Sequence, residues 1–402
     1  MSEVRVNNLS NENNTGGPTI SGITTYSGRH FFVPPQGDTA SRPSDCEPGS
    51  LRFNTDTAHL EYFRGNTIGW TEIEAEDVEI AGVSGSSGSI DGKGTRAIFA
   101  GGYTPSAQPN STFNNVDALT IDTLGNSIDF NNLTSSRAGT CQFSDSTRAM
   151  AAGGVGPVVS QYSTIVNTIE FCTFSTTGDY ADFGDLTRTM GYGQGLSNKV
   201  RGIVAGGTYP YQNVIDYVTI QSTGNAVDFG DTTQKNGYPG GFCSSTRGFI
   251  MGGLRVGSPD TASYNNIEIV TTSTTGNATD FGDMLYSSYE MASASNATRG
   301  IKAAGYGPNY SSRIEFLTMA TTGNSVYFGD LTGFNGTGKG GASSPTRFVL
   351  GGGYGTSPHF MNTIEFVNFA TTGDSADFGD FQGFGRRLGT NGTSNNHGGL
   401  SG

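Results

Sequence analysis

The sequence predicts an all-β protein in which the last three quarters of the chain is a six-bladed β-propeller. Three observations carry that expectation. First, an arginine is followed five and six residues later by a small pair, six times over: Arg96, Arg148, Arg201, Arg247, Arg299 and Arg347. The pair is Gly-Gly in five cases and Ala304-Gly305 in the other. Second, Gly125, Gly178, Gly224, Gly276, Gly323 and Gly373 are each followed five residues later by Phe130, Phe183, Phe229, Phe281, Phe328 and Phe378. Third, both markers recur every 46 to 53 residues, the period of a four-stranded propeller blade. Residues present in every repeat are scaffold, so function is to be sought in what differs between repeats.

Composition agrees with this. The 402 residues include 62 Gly and only 14% charged side chains, with 25 Phe and 17 Tyr available for packing. That is a turn-rich β composition. A formal charge of -13 leaves no electrostatic case for nucleic-acid binding. No apolar run approaches membrane-spanning length, and Met1 to Gly17 is polar without a signal-peptide core. Neither membrane insertion nor ordinary secretion is expected. Cys46, Cys141, Cys172 and Cys243 lack CxxC or metal spacing and are expected to be unpaired thiols.

Along the chain, residues 1–28 read as an extended arm, 29–79 as a small β module, 80–94 as a Gly/Ser linker, and 95–402 as the repeat array. The second repeat serves as the type. Arg148 to Gly154 is a short apolar strand ending in two glycines, Thr168 to Phe174 alternates as a strand, and Tyr180 to Asp185 is the outer strand. Thr176-Thr177-Gly178-Asp179 reads as the intervening hairpin turn, with Gly178 free to take positive φ. Gly191 to Ser197 then begins the next blade as its innermost strand. The first blade lacks such a strand before Thr95, and residues 386–395 align with 188–197. The C-terminal strand is therefore expected to pair into the first blade and remove its open edge. The rival donor is the Ser-rich segment 83–90.

Two constellations invite chemistry. Asp117, Glu170, Asp216, Glu268, Glu315 and Glu365 recur one residue into the third strand, in step with the six arginines, and are expected to pair with them as structural ties. Asp-Phe-Gly-Asp turns carry too few oxygen ligands for calcium and read as structure. The four histidines are dispersed, and no catalytic signature is present. No enzyme activity, cofactor or metal is expected. What varies is the stretch after each small pair, at 103–115, 155–167, 208–213, 254–266, 306–312 and 354–362. These stretches carry Tyr103, Phe113, Tyr162, Tyr209, Tyr211, Tyr264, Tyr306, Tyr310, Tyr354, His359 and Phe360. Tyrosine among Gly, Ser and Asn is recognition chemistry, and the competing reading is that these rings lid the blade cores.

The paired glycines, the Ile-Glu-Phe third strand, the Gly turn and the aromatic fourth strand resemble kelch-type repeats over about 95–402. Departures are Phe where kelch modules favour Trp, Asn131-Asn132 in the first repeat and Tyr327 in the fifth. In the N-terminal module, Ser50-Leu51-Arg52-Phe53-Asn54-Thr55-Asp56-Thr57, Leu60-Glu61-Tyr62-Phe63 and Trp70 resemble a hairpin module of tailed-phage fibre and other virion proteins over about 30–75. Its combination with the glycine-rich array resembles structural proteins of marine, notably cyanobacterial, tailed phages. The resemblance implies a virion protein assembled in the host cytoplasm and present in multiple copies. It implies docking to other virion proteins through Phe31, Phe32, Leu51, Phe53, Tyr62, Phe63 and Trp70, and host-surface adhesion, to a glycan or protein, through the propeller. The alternatives are a passive decoration subunit and a cellular kelch-like adaptor.

Overall fold

Each arginine-to-phenylalanine stretch supplies three strands of a four-stranded antiparallel sheet, and six such sheets lie among the residues described. The computed structural model describes residues 34–57, 59–73, 95–104, 112–159, 162–255, 262–333, 336–355, 360–382 and 392–396, with only the backbone of 158, 159, 162 and 163. The expected arm 1–28, Phe31, Phe32, His359 and the linker 80–94 lie outside them. The chain divides into two compact units, Met1–Ser84 and Gly85–Gly402.

Sheet 2 shows the common design. Its strands lie in the order Cys141–Ser144, Arg148–Ala152, Thr168–Thr173, Ala181–Asp185. Small residues in the second strand are fully buried, and Thr173 pairs with Arg148, Phe171 with Met150 and Ile169 with Ala152. Between the third and fourth strands the register slips once, between Ile169 and Glu170. Ile169 faces Gly184 and Glu170 faces Asp182, so Phe183 is the extra residue of a bulge. The slip recurs in all six sheets. Asp-Phe-Gly-Asp is therefore a bulge motif: it turns the phenylalanine into the core, where Phe183 is 3% exposed. The connection expected as a tight hairpin at 176–179 is wider, since the flanking strands end at Thr173 and resume at Ala181.

The other sheets run, in the same strand order, Gln194–Ser197, Arg201–Ala205, Gln212–Thr219, Val227–Asn236 (sheet 3); Gly240–Cys243, Arg247–Met251, Asn266–Thr271, Thr279–Asp283 (sheet 4); Ala292–Ser295, Arg299–Ala303, Arg313–Thr318, Val326–Asp330 (sheet 5); and Gly340–Ser343, Arg347–Gly351, Thr363–Asn368, Ala376–Asp380 (sheet 6). Sheet 1 has Arg96–Tyr103, Thr112–Thr120 and Ile128–Asn132, and its first strand is Gly392–Ser394, paired Gly392 to Phe99 and Ser394 to Ala97. Six apolar clusters form the core, and each joins two successive sheets. Phe143, Met150 and Ile169 of sheet 2 meet Val204 and Val218 of sheet 3. Phe99 and Leu119 of sheet 1 meet Val349, Ile364 and Phe378 of sheet 6.

The recurring polar residues tie sheet to sheet. The six arginines do not pair with the six acids, contrary to expectation. Arg148 faces Thr173 across the strands, and Phe171, two residues back, shares that face. Glu170, one residue off, points to the other face. Arg148 accordingly lies 4.7 Å over the Phe171 ring and donates to Ile220 O of the next sheet at 2.9 Å. Arg201 reaches Thr272 O, Arg247 Met319 O and Arg299 Phe369 O in the same way. Arg347 of sheet 6 reaches Ile121 O, after sheet 1. The second marker makes a parallel clasp at the fourth strands. Gly224 N donates to Phe183 O and Ala226 N to Asp185 O, while Asp185 N donates to Asn225 Oδ1 at 3.0 Å. Gly125 and Asn126 of sheet 1 make the same clasp on Phe378 and Asp380 of sheet 6.

The acids are all buried. Each of Glu170, Asp216, Glu268, Glu315 and Glu365 accepts an N–H from the preceding repeat, just beyond its outer phenylalanine: Thr134, Thr187, Thr233, Leu285 and Thr332. Their cations come from unrelated positions. Arg137 contacts Glu170, Arg188 lies 2.6 Å from Asp216, and Lys302 3.0 Å from Glu315. Burial still raises Asp216, against the pull of Arg188. Glu268 takes Thr233 and Asn266 instead.

The N-terminal unit is a sheet of Gln36–Gly37, Leu51–Asn54, His59–Phe63 and Trp70–Glu72, with the first pair parallel. Its centre is polar: Glu61, fully buried, holds Arg42 at 2.6 Å and Arg52 at 3.5 Å. Of the candidate docking residues, Leu51 is exposed and Phe53, Tyr62 and Trp70 are half-buried. Phe63 is corrected to core: it is 5% exposed and packs on Trp70 at 5.5 Å.

Candidate functional site

The stretches after the small pairs are less open than the sequence suggests. Val155–Val159 pairs with Tyr162–Ile165, and Leu254–Arg255 with Ala262–Ser263, so two of the expected loops are hairpins. Tyr354–Gly355 pairs back to Gly336–Thr337. Tyr162 thus lies in a strand. Phe113 is in the strand Thr112–Thr120 and 7% exposed: the third strand of sheet 1 begins early, and the ring enters the core. Tyr209 is the most exposed of those whose side chains are described, at 50%. Tyr103, Tyr211, Tyr264, Tyr306, Tyr310, Tyr354 and Phe360 are half-buried.

Several of these rings are organised by three tyrosines that sequence reasoning missed. Centroids run Tyr192 to Tyr238 at 4.8 Å, Tyr238 to Tyr289 at 6.0 Å, Tyr289 to Tyr306 at 5.5 Å, Tyr306 to Tyr310 at 4.9 Å, Tyr310 to Tyr354 at 6.3 Å and Tyr354 to Phe360 at 5.2 Å. The spine beneath is a backbone chain. Tyr192 N donates to Gly139 O, Tyr238 N to Tyr192 O, Glu290 N to Tyr238 O and Gly338 N to Glu290 O. All five residues have left-handed φ: 62°, 55°, 57°, 52° and 64° from Gly139 to Gly338. Glycine occupies the ends, whereas Tyr192, Tyr238 and Glu290 hold a conformation that costs a side-chain-bearing residue energy. Each stands two positions before the start of an innermost strand.

Those innermost strands line a cavity of about 50 Å³ to which all six sheets contribute, among them Phe143, Leu196, Phe242, Ala294, Ala342 and Thr393. Its far end is hydroxyl-rich. Ser295 Oγ donates to Cys243 O, Ser343 Oγ to Ser295 O, Ser394 Oγ to Ser343 O and Ser144 Oγ to Ser394 O.

Glu290 is the one acid in the tyrosine chain. Its Oε2 accepts from Thr337 Oγ1 at 2.6 Å, and burial raises its carboxyl above the ordinary range while that hydroxyl pulls the other way. Burial and Glu290 together push up the phenols of Tyr192, Tyr238 and Tyr289, the last to about 12. A second feature is an open cleft of about 550 Å³ lined by Pro210, Tyr211, Gln234, Lys235, Arg255 and Tyr264. Among the described residues no group of three or more His, Cys, Asp or Glu is arranged to hold a metal ion. Burial raises the Cys141 and Cys172 thiols to about 12 and 11, and Cys243 further. None of the three is a ready nucleophile. Comparison with protein-family models and with curated protein sequences gave no match.

Proposed function

We propose that the six sheets are blades of a closed, kelch-like β-propeller, and that the protein is a tailed-phage virion component, tail- or fibre-associated, that uses this propeller for host-surface adhesion. Closure is supported by four independent ties that return from sheet 6 to sheet 1: the Arg347 hydrogen bond, the Gly125–Asn126 clasp, a shared apolar cluster, and the serine chain through Ser394. The virion assignment rests on the resemblance of the N-terminal hairpin and the glycine-rich array. The observation that carries adhesion is the concentration of tyrosines at the ends of the inner strands, with Tyr211 and Tyr264 lining an open cleft and Tyr209 half exposed. Rings that offer broad contact and hydroxyls suit a glycan or a protein. Many copies on one particle would multiply a weak single contact into stable adsorption.

A passive structural subunit is the second reading. It is favoured by the ring-on-ring packing of Tyr306, Tyr310, Tyr354 and Phe360, which already satisfies much of their surface. Purified full-length protein separates the two. Under the adhesion reading it competes with particles for host cells, and alanine at Tyr209, Tyr211 and Tyr310 reduces that competition about tenfold or more with an unchanged melting temperature. Saturating protein that leaves adsorption unaltered would favour the passive role.

A further inference from the structure

Sheet 3 departs from the common design at its fourth strand. Val227–Asn236 has 10 residues, whereas the fourth strands of the other sheets have 5 each. The added half runs on past the repeat phrase until Asn236 faces Gln212, the first residue of the third strand. It is tied down on both sides. The Thr233 hydroxyl bonds Glu268 of sheet 4, Asn236 Nδ2 donates to Gly252 O at 3.3 Å, and Gly207 N donates to Asn236 O at 2.9 Å. Gln234 and Lys235 stand exposed between these ties. The hairpin of Leu254–Arg255 and Ala262–Ser263 is pinned to the next residue along: Gly237 N donates to Leu254 O at 3.0 Å and Leu254 N to Gly237 O at 2.7 Å. The Tyr211 ring lies against Gly237, where an added Cβ would stand 2.7 Å from its Cε1, and Tyr264 N donates to Gly253 O at 2.9 Å. The open cleft between Tyr211 and Tyr264 is thus built on fixed backbone, with Pro210, Gln234, Lys235 and Arg255 completing its lining.

The charge of this cleft runs against that of the chain. The protein carries a formal charge of -13, yet two cations and, among the described residues, no acid line the cleft. Cations elsewhere in the repeat array are committed. Arg148, Arg201, Arg247, Arg299 and Arg347 reach carbonyls, Arg137, Arg188, Lys302 and Lys339 stand beside buried acids, and Arg313 lies over Tyr286. Lys235 and Arg255 are exposed, and among the described residues their side chains make no hydrogen bond or ion pair. A guanidinium fork matches a carboxylate in shape, and an ammonium adds a second positive charge. Electron-rich ring faces receive the C–H face of a pyranose, and phenol and amide groups exchange hydrogen bonds with its hydroxyls. A bare anion would use the cations alone.

We propose that this cleft binds an acidic saccharide, a pyranose that bears a carboxylate. Arg255 and Lys235 take the carboxylate, Tyr211 and Tyr264 take the ring, and Gln234 bonds its hydroxyls. The proposal rests on the adhesion reading for what carries the sugar, whereas the chemistry of the cleft stands apart from it. Because both cations are exposed, the attraction is screened by salt.

Methyl β-D-glucuronide, methyl β-D-glucoside and inorganic phosphate, each titrated into the full-length protein and followed by ligand-observed NMR, test this. The glucuronide should saturate with a dissociation constant on the order of 1 mM at low salt, and the glucoside should bind at least about tenfold more weakly. Arg255→Gln should weaken the glucuronide about fivefold or more, and Lys235→Gln with Arg255→Gln should abolish saturation, at an unchanged melting temperature since both side chains are exposed. Tyr264→Leu should weaken the glucuronide severalfold and leave phosphate unaffected. Arg64→Gln, an exposed cation of the N-terminal unit, should change nothing. No saturable glucuronide binding, equal affinity for the glucoside, or full binding by the double variant would each overturn the proposal. So would phosphate that binds as tightly as the glucuronide, which would mean an adventitious ion only. Protein that competes for host cells without binding the glucuronide would remove this ligand and keep adhesion; protein that binds the glucuronide without competing would keep the site and remove adhesion.

Discussion

Lys302 and Glu315 face each other at 3.0 Å inside sheet 5, with the two side chains 2% and 0% exposed. Leu285 N and Ser325 Oγ complete the carboxylate's bonding. The pair is better understood as a constraint than as a source of stability, because desolvation offsets most of the attraction. Removing one partner is another matter. Lys302→Met should cost about 3–5 kcal/mol in denaturant unfolding, since Glu315 is left buried without its cation. Lys302→Met with Glu315→Gln should recover much of that, because the amide oxygen still accepts from Leu285 and Ser325. A double variant no more stable than the single one would refute the account. Burial holds the Lys302 ammonium below the ordinary lysine range, with Glu315 opposing. Between the native and unfolded values the unfolded chain binds the extra proton, so stability rises with pH there; Lys302→Met should lose that rise. Little of this was legible beforehand. The acids announce themselves by position, but their cations arrive from a connection (Arg137, Arg188), a second strand (Lys302) or the residue just before an innermost strand (Lys339). No shared spacing links them.

Within the elements, the repeat phrase was legible as strands and turns, while its purpose was not. Arginine and acid recur in step, which suggested a pair, yet Arg148 opposite Thr173 and Glu170 one residue off the same parity lie on opposite faces. Attention to period two would have separated them. The glycine after the outer phenylalanine has a tertiary cause that no local rule reveals: the neighbouring turn lies against it. A Cβ on Gly230 would sit 2.5 Å from Gly276 O, at φ 147°, whereas Gly178 has open space and no φ constraint. Gly230→Ala should therefore cost about 1–3 kcal/mol, and Gly178→Ala should be nearly neutral, as read from urea midpoints. Equal effects would mean that the clasp between sheets 3 and 4 contributes nothing. The tyrosine chain was missed for a related reason. Its positions read Gly139, Tyr192, Tyr238, Glu290 and Gly338, so identity varies while the left-handed backbone is kept. Backbone sign is invisible where no glycine marks it.

At the scale of the molecule, the proposed ring depends on three residues near the end of the chain. Gly392–Ser394 is short, but it occupies the edge of sheet 1 beside Ala97, Ile98 and Phe99. It also closes the hydroxyl chain: Ser394 Oγ donates to Ser343 O, and Ser144 Oγ donates to Ser394 O. Deleting residues 383–402 would leave the Arg96–Tyr103 strand with an unpaired edge and break the contact of sheet 6 with sheets 1 and 2 near the cavity. The arginine, clasp and apolar ties between sheets 6 and 1 would remain, so the chain should still fold. The expected result is a melting temperature at least about 5 °C lower and concentration-dependent oligomers by gel filtration, because an exposed β edge recruits another strand. Adding a peptide of residues 383–402 in excess should restore the monomer and part of the lost stability, as mass action requires. A truncated protein that stays monomeric and melts like the full chain would mean that the last strand is an accessory, and the ring would then have to be held by the other three ties alone.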